Sequence, residues 1–108
     1  MMIHMNKHGE INYLNGPNIP LGLDAEQIFE TQSVDLQPDD MVFLYTDGIP
    51  ELQNQAQELF SQERLENILI SCKDQTAKEI ENIIYHKISE FVGNTGLSDD
   101  VTTIIIKV

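Results

Sequence analysis

Met41-Val42-Phe43-Leu44-Tyr45-Thr46-Asp47-Gly48 is the stretch from which the rest of the chain can be read. Five apolar residues follow one another without alternation and run straight into an Asp-Gly. Such a run, bounded by turn residues, reads as a central strand covered on both faces. A second segment answers it: Ser98-Asp99-Asp100-Val101-Thr102 leads into Thr103-Ile104-Ile105-Ile106, an Asp-Asp pair at the mouth of an equally apolar strand. A carboxylate at a strand end is held by a rigid element yet faces solvent, which suits it to a hard divalent cation. Laid side by side, the two strands would bring Asp47 and Asp99 together at one end of a sheet. Each motif on its own also reads as turn punctuation, since Asp-Gly is a common turn dipeptide and Asp-Asp often marks a solvated loop.

Working outward, the order is strands first, helices next and a strand last. His8-Gly9-Glu10 reads as a turn into a strand from Ile11 to Leu14, closed by Gly16-Pro17. Pro20 to Leu23 is extended or looped, and partial alternation over Ile28 to Leu36 points to strand structure. Gln37-Pro38-Asp39-Asp40 is a turn in which Pro38 presets φ and Asp39 tolerates the left-handed region. Pro50 to Gln57 reads as a short helix with Pro50 in its first turn. Ser61 is an N-cap for a helix striped by Leu65, Ile68, Leu69 and Cys72. Thr76 and Glu79 form a capping box for a longer helix striped by Ala77, Ile80, Ile83, Ile84, Ile88 and Phe91, with Gly93 placed to end it. The fold class is therefore α+β.

At 108 residues the chain is one small domain with one modest core, and 41% hydrophobic content argues against disorder. Eighteen Asp and Glu against 6 Lys and Arg give a formal charge of −12. That balance repels nucleic acid and anionic membranes and favours cations or basic partners; it also serves plain solubility. Cys72 is the only cysteine and sits on an apolar helical stripe, where a buried free thiol is expected. The cytoplasm is the default location, since nothing approaches a membrane span or an export leader. His4, His8 and His86 are scattered and make no zinc pattern with one cysteine. The dense acidic loop of an EF-hand, a nucleophile elbow and a phosphate-binding glycine loop are all missing.

Leu21-Gly22-Leu23, then Val34 to Glu51, then Glu63-Arg64-Leu65, then Asp99-Asp100-Val101-Thr102 occur in an order that resembles the C-terminal half of a bacterial stage II sporulation protein E-type phosphatase. These belong to the PPM, or protein phosphatase 2C-like, class of metal-dependent serine/threonine phosphatases. The similarity runs from about Gly9 to the last residue. The resemblance implies half of a layered αββα sandwich, an antiparallel sheet with two helices on one side. It implies Mn²⁺ or Mg²⁺, two ions in a complete domain, which activate a water to attack a phosphate ester. Carried over position by position, Asp47 and Asp99 are metal ligands, while Gly48 allows a tight exit beside them. Asp100 becomes an accessory candidate, and Thr102 could orient a carboxylate. The implied substrate is a phosphoserine protein of the anti-anti-sigma type in a partner-switching pathway.

The family's domain is about twice this long, and its N-terminal half supplies an Asp-Gly whose Asp bridges the metals. No second Asp-Gly occurs here, nor does the Ala-Gly-His-Asn segment that usually precedes this region. Met1 to Met5 falls close to where the family's central strands finish. The expectation is a C-terminal piece of a phosphatase domain, residues 1–108, with no catalytic residue of its own and negligible activity alone. Half a sandwich leaves sheet surface uncovered, so a homo-oligomer is expected. The other reading is a non-enzymatic acidic interaction module in which Asp47 and Asp99 are only turn residues.

Overall fold

The computed structural model describes every residue except Pro17, Asn18, Ser98 and Asp99. Four strands form one antiparallel sheet: β1 (Met2–Met5), β2 (Ile11–Tyr13), β3 (Met41–Tyr45) and β4 (Thr103–Lys107), in the spatial order β2-β1-β3-β4. Between β3 and β4 the chain makes α1 (Gln62–Ser71) and α2 (Ala77–Val92), both packed on one face of the sheet. The α+β class and the interior position of Met41 to Tyr45 agree with the sequence.

Strand register sorts the side chains into two faces. Tyr13, Ile3, Phe43 and Ile105 align across the sheet, as do Ile11, Met5, Met41 and Lys107. These rows face the helices. Ile3, Met5, Met41, Phe43 and Tyr45 form one core with Leu65, Leu69, Ile80, Ile84 and Ile88. The alternate rows, Met2-Leu44-Ile104 and Asn12-His4-Val42-Ile106, lie on the opposite face. His4 and Val42 are buried at its centre, whereas Ile104 and Ile106 are 54% and 47% exposed. This second face is therefore open mainly along β4.

Both helices begin where their caps predict. Ser61 Oγ accepts from the Arg64 amide at 3.4 Å. At α2, Thr76 Oγ1 accepts from Glu79 N at 3.3 Å while the Glu79 carboxylate accepts from Thr76 N at 2.8 Å, the reciprocal capping box. Gly93, at φ 53°, ends α2. Cys72 is buried as a free thiol, and Arg64 lies 5.0 Å over the Phe91 ring.

Three local readings change. Met2–Met5 is itself a strand, interior to the sheet; its four residues with a central histidine are too short a run to declare themselves. Ile28 to Leu36 forms no strand. It adds no strand beside the short edge strand β2, and Glu30, Gln32, Ser33 and Val34 instead line a recess with Met2 and Leu14. Pro50 to Gln57 is a series of turns with a bridge between Gln53 and Leu59. Ile49 and Leu52 are fully buried, and anchoring both in the core outweighs a weak helical preference in a polar stretch.

The turn into β3 is locked by a buried polar pair. His4 Nε2 donates to Asp40 Oδ2 at 2.7 Å, and the same oxygen accepts the Gln37 amide at 3.0 Å. Asp39 beside it adopts φ 73°, the left-handed region expected of it. The Gln37 amide first, and the His4 ring second, hold the Asp40 carboxyl below the usual aspartate range. Its folded value thus lies below the ~3.9 of an unfolded chain. The stability it contributes is fully present above about pH 4 and is lost as pH falls through the folded value. Asp40→Asn should flatten the acid limb of a stability-against-pH profile measured by denaturant titration between about pH 7 and pH 3; an unchanged limb would remove the pair from the account.

Candidate metal centre at one end of the sheet

Antiparallel pairing of β3 with β4 sets the exit of one strand beside the entry of the other, with Tyr45 opposite Thr103. One residue further out, Thr46 closes this end. Its N–H donates to Thr102 O at 3.2 Å. Its hydroxyl accepts from Thr102 N at 3.2 Å and donates to Asp100 O at 3.4 Å. One threonine thus ties the Asp47 turn to the acidic segment through three bonds, each adding about 1 kcal/mol net.

Gly48 makes the approach possible. A Cβ at this position would lie 2.7 Å from the backbone oxygen of Asp100 and 3.6 Å from its carbonyl carbon. No side chain fits there without moving the Asp100 backbone, so glycine is required by contact and not by a positive φ. The turn continues with Ile49 N donating to Thr46 O at 3.3 Å and Glu51 N to Asp47 O at 3.4 Å. Its lower side is plugged into the core by Ile49, which leaves Asp47 exposed above.

Beneath this end, α1 is pinned to the sheet by a polar cluster. Gln62 Nε2 donates to the hydroxyls of Tyr13 at 2.7 Å and Tyr45 at 2.6 Å, while Tyr13 donates to Glu66. Burial, and then the Glu66 carboxylate, push the Tyr13 hydroxyl up to about 12. Burial also raises Tyr45, with the charges of Glu66 and Asp47 adding to it. Both phenols therefore stay neutral donors and acceptors at physiological pH, and the helix under the site keeps its place.

The residues singled out from sequence are distributed as follows. Asp47 is exposed at the end of β3, and no Lys, Arg or His among the described residues forms an ion pair with it. Asp100 is exposed across the gap, with its backbone against Gly48. Asp99 lies outside the described residues. Thr102 takes part through its backbone N–H and C=O, while the hydroxyl that orients this end belongs to Thr46. The sequence signal for Thr46 is its position: a threonine one step beyond a strand can bond neighbouring backbone with both hydroxyl functions.

An exposed carboxylate on a rigid strand end, with no cationic side chain claiming it, fits a hard divalent ion. Among the described residues, however, no three His, Cys, Asp or Glu side chains converge as a metal-binding group. What the described residues bring to this end is the exposed Asp47 and, across the gap, the exposed Asp100. Gly48→Ala should displace the Asp100 segment and lower stability by about 1–3 kcal/mol in denaturant titration, while Thr46→Val, which removes two hydroxyl bonds, should cost about 1–2 kcal/mol. A neutral Gly48→Ala would mean that the two segments can separate freely.

A family model described as Stage II sporulation protein E matches residues 1–108. The fold is similar to that of the SiaA-PP2C domain of Pseudomonas aeruginosa, with a TM-score of 0.82 at 19% identity, covering 99% of this chain and 42% of that one. It is also similar to the phosphatase domain of the cell fate determinant SpoIIE from Bacillus subtilis, with a TM-score of 0.63 at 17% identity, over 98% of this chain and 45% of that one. The chain thus spans less than half the length of each solved domain. No curated protein sequence matches it. Matched by the family model from its first residue to its last, the chain belongs to the stage II sporulation protein E family and carries part of a PP2C-type phosphatase fold.

Proposed function

We propose that the chain is the C-terminal portion of a metal-dependent protein serine/threonine phosphatase domain, and that its Asp47 end is one side of the active site. The observation that carries this reading is the Thr46–Gly48 clamp, which brings the Asp100 backbone against the Asp47 turn. Asp47 and Asp99 would hold Mn²⁺ or Mg²⁺, with Asp100 as an accessory ligand. When bound, such an ion supplies a water acidic enough to act as a nucleophile near neutral pH. The chain's own residues do the positioning: Thr46 and Gly48 fix the spacing of the two acidic segments, and Ile49 and Leu52 anchor the turn from below. The reaction is hydrolysis of a phosphoserine ester, in which water oxygen bonds to phosphorus and the serine oxygen leaves. The substrate class is a phosphoserine regulatory protein of the anti-anti-sigma type, and the setting is the cytoplasm of a bacterial cell. No helix among the described residues is long and apolar enough to cross a membrane.

Ligand count sets the limit on this chain alone. Two or three carboxylates on one side of a site leave most of the coordination shell of Mn²⁺ to water, and affinity in the millimolar range follows. A second reading is an acidic interaction module without catalysis, which the formal charge of −12 would serve.

Hydrolysis of an aryl phosphate with Mn²⁺, followed by a phosphoserine protein, separates the two. The isolated chain should turn over negligibly. Joined to the N-terminal half of a homologous domain it should gain activity, which Asp47→Asn or Asp99→Asn should lower at least ~100-fold. Strong turnover by the chain alone would refute the partial-site reading, and an active joined protein indifferent to both substitutions would refute the ligand assignment.

A further inference from the structure

The outer edge of β4 is an unpaired strand edge. β4 ends the sheet, and its bonds to β3 show which of its backbone groups are used. Thr46 N donates to Thr102 O at 3.2 Å, Val108 N to Asp40 O at 3.0 Å, and Asp39 N to Val108 O at 3.0 Å. In an antiparallel ladder, positions alternate between pointing at the partner strand and pointing away. Positions 102 and 108 point at β3, so Ile104 and Ile106 do too, and the N–H and C=O groups of Thr103, Ile105 and Lys107 point outward. Among the described residues no backbone group from outside the sheet bonds to these three.

Proteins blunt such edges with short strands, charges, prolines or bulges. The edge at β2 is blunted, being three residues long with Asn12 at its centre. β4 is five residues, Thr-Ile-Ile-Ile-Lys, without proline, and its one charge is Lys107. Ile104 and Ile106 beside it are about half exposed. On the helix side, a groove of about 440 Å³ runs along the same edge, lined by Ile84, Tyr85, Ile88, Leu97 and Thr103.

We infer that this edge pairs with the β4 edge of a second copy, antiparallel about a two-fold axis through Ile105, to give a continuous eight-stranded sheet. Three features favour a second copy over an unrelated strand. The sequence is self-complementary about Ile105: Ile105 meets its own mate, Thr103 meets Lys107 of the second copy, and each of these pairs can exchange two backbone bonds. Ile104 and Ile106 of the two copies would then form one apolar band of four isoleucines. The strand also carries no carboxylate in a chain with 18 acidic residues, so the paired strands themselves oppose no negative side chains, and the Glu81 carboxylate of α2 beside Thr103 and Ile105 has Lys78 as an ion-pair partner. This differs from association through the sheet face and does not depend on the metal chemistry above; Asp47→Asn should dimerise like the parent chain.

One strand pair and an isoleucine band bury less than the ~1,200 Å² of a tight interface, so the dimer should dissociate at roughly 10–100 µM. Added salt should strengthen it by screening the −12 charge on each copy. Sedimentation of the 108-residue chain from about 5 to about 500 µM, with residue-resolved hydrogen exchange across the same range, is the experiment. Amide exchange at Thr103, Ile105 and Lys107 should slow at least ~10-fold with concentration while Ile104 and Ile106, already bonded to β3, change little. Thr103→Pro removes an outward N–H without breaking a bond to β3 and should leave a monomer. Leu44→Lys, on the same sheet face but one strand in from the edge and opposite Ile104, should weaken the dimer less than Thr103→Pro does. The inference is overturned by a monomer at about 500 µM, by a dimer whose three outward amides exchange at a constant rate, or by a dimer that Leu44→Lys dissolves and Thr103→Pro does not. If Thr103→Pro does not fold, the exchange pattern of the parent chain still decides.

Discussion

The register between β3 and β4 is the constraint on which the rest of the molecule depends. A slip of one residue would turn Phe43 and Tyr45 out of the core and bring Val42 and Leu44 in against the helices. It would also carry Gly48 away from Asp100 and leave the Thr46 hydroxyl without its partners. The register is pinned at both ends. At one end Thr46 holds Thr102 and Asp100; at the other, Asp39 and Asp40 exchange backbone bonds with Val108, and His4 secures Asp40 to β1. Strand pairing across some sixty residues of intervening turns and helices is a non-local contact that must be specified by packing and by its ends. Here both kinds of specification act on the same pair.

The same register explains how a strongly acidic chain can hold two acidic segments close together. Carboxylates repel unless something else holds them near one another. The Thr46 bonds and the glycine contact act on the backbones of the Asp47 and Asp100 segments, so the proximity is set by neutral groups. Only the side chains are left to respond to charge. Preorganisation of this kind is what a hard ion requires from a protein, since it repays little for reorganising its ligands. In the proposed function, one sheet supplies one side of a site.

Much of this was legible in the residues, for reasons that can be stated. Met41 to Tyr45 declared an interior strand because five unalternated apolar side chains cannot sit at an edge with one wet face. The capping box at Thr76 and the glycine at Gly93 fixed α2 because caps are local chemistry read directly from side chains. The failures share a cause. Ile28 to Leu36 has partial strand alternation but lines a recess with Met2 and Leu14 instead of joining the sheet, and Pro50 to Gln57 has helix-tolerant residues while Ile49 and Leu52 are claimed by the core. In both, tertiary placement decided against a weak local preference. Within the site, Asp47, Gly48 and Asp100 could be picked out by residue type, whereas Thr46 could not. Its role, bonding the backbones of Asp100 and Thr102, exists only because another strand arrives beside it.

The most direct test of the central claim is the location of bound Mn²⁺ by paramagnetic broadening of backbone amide resonances. The ion broadens amides within a limited radius, so a titration maps its position residue by residue even when affinity is weak. The account predicts broadening confined at low occupancy to Thr46 through Gly48 and Asp100 through Thr102, and its loss in Asp47→Asn with the chemical shifts of the helices unchanged. Broadening spread evenly over the acidic surface, or centred on the Asp39–Asp40 end of β3, would contradict it.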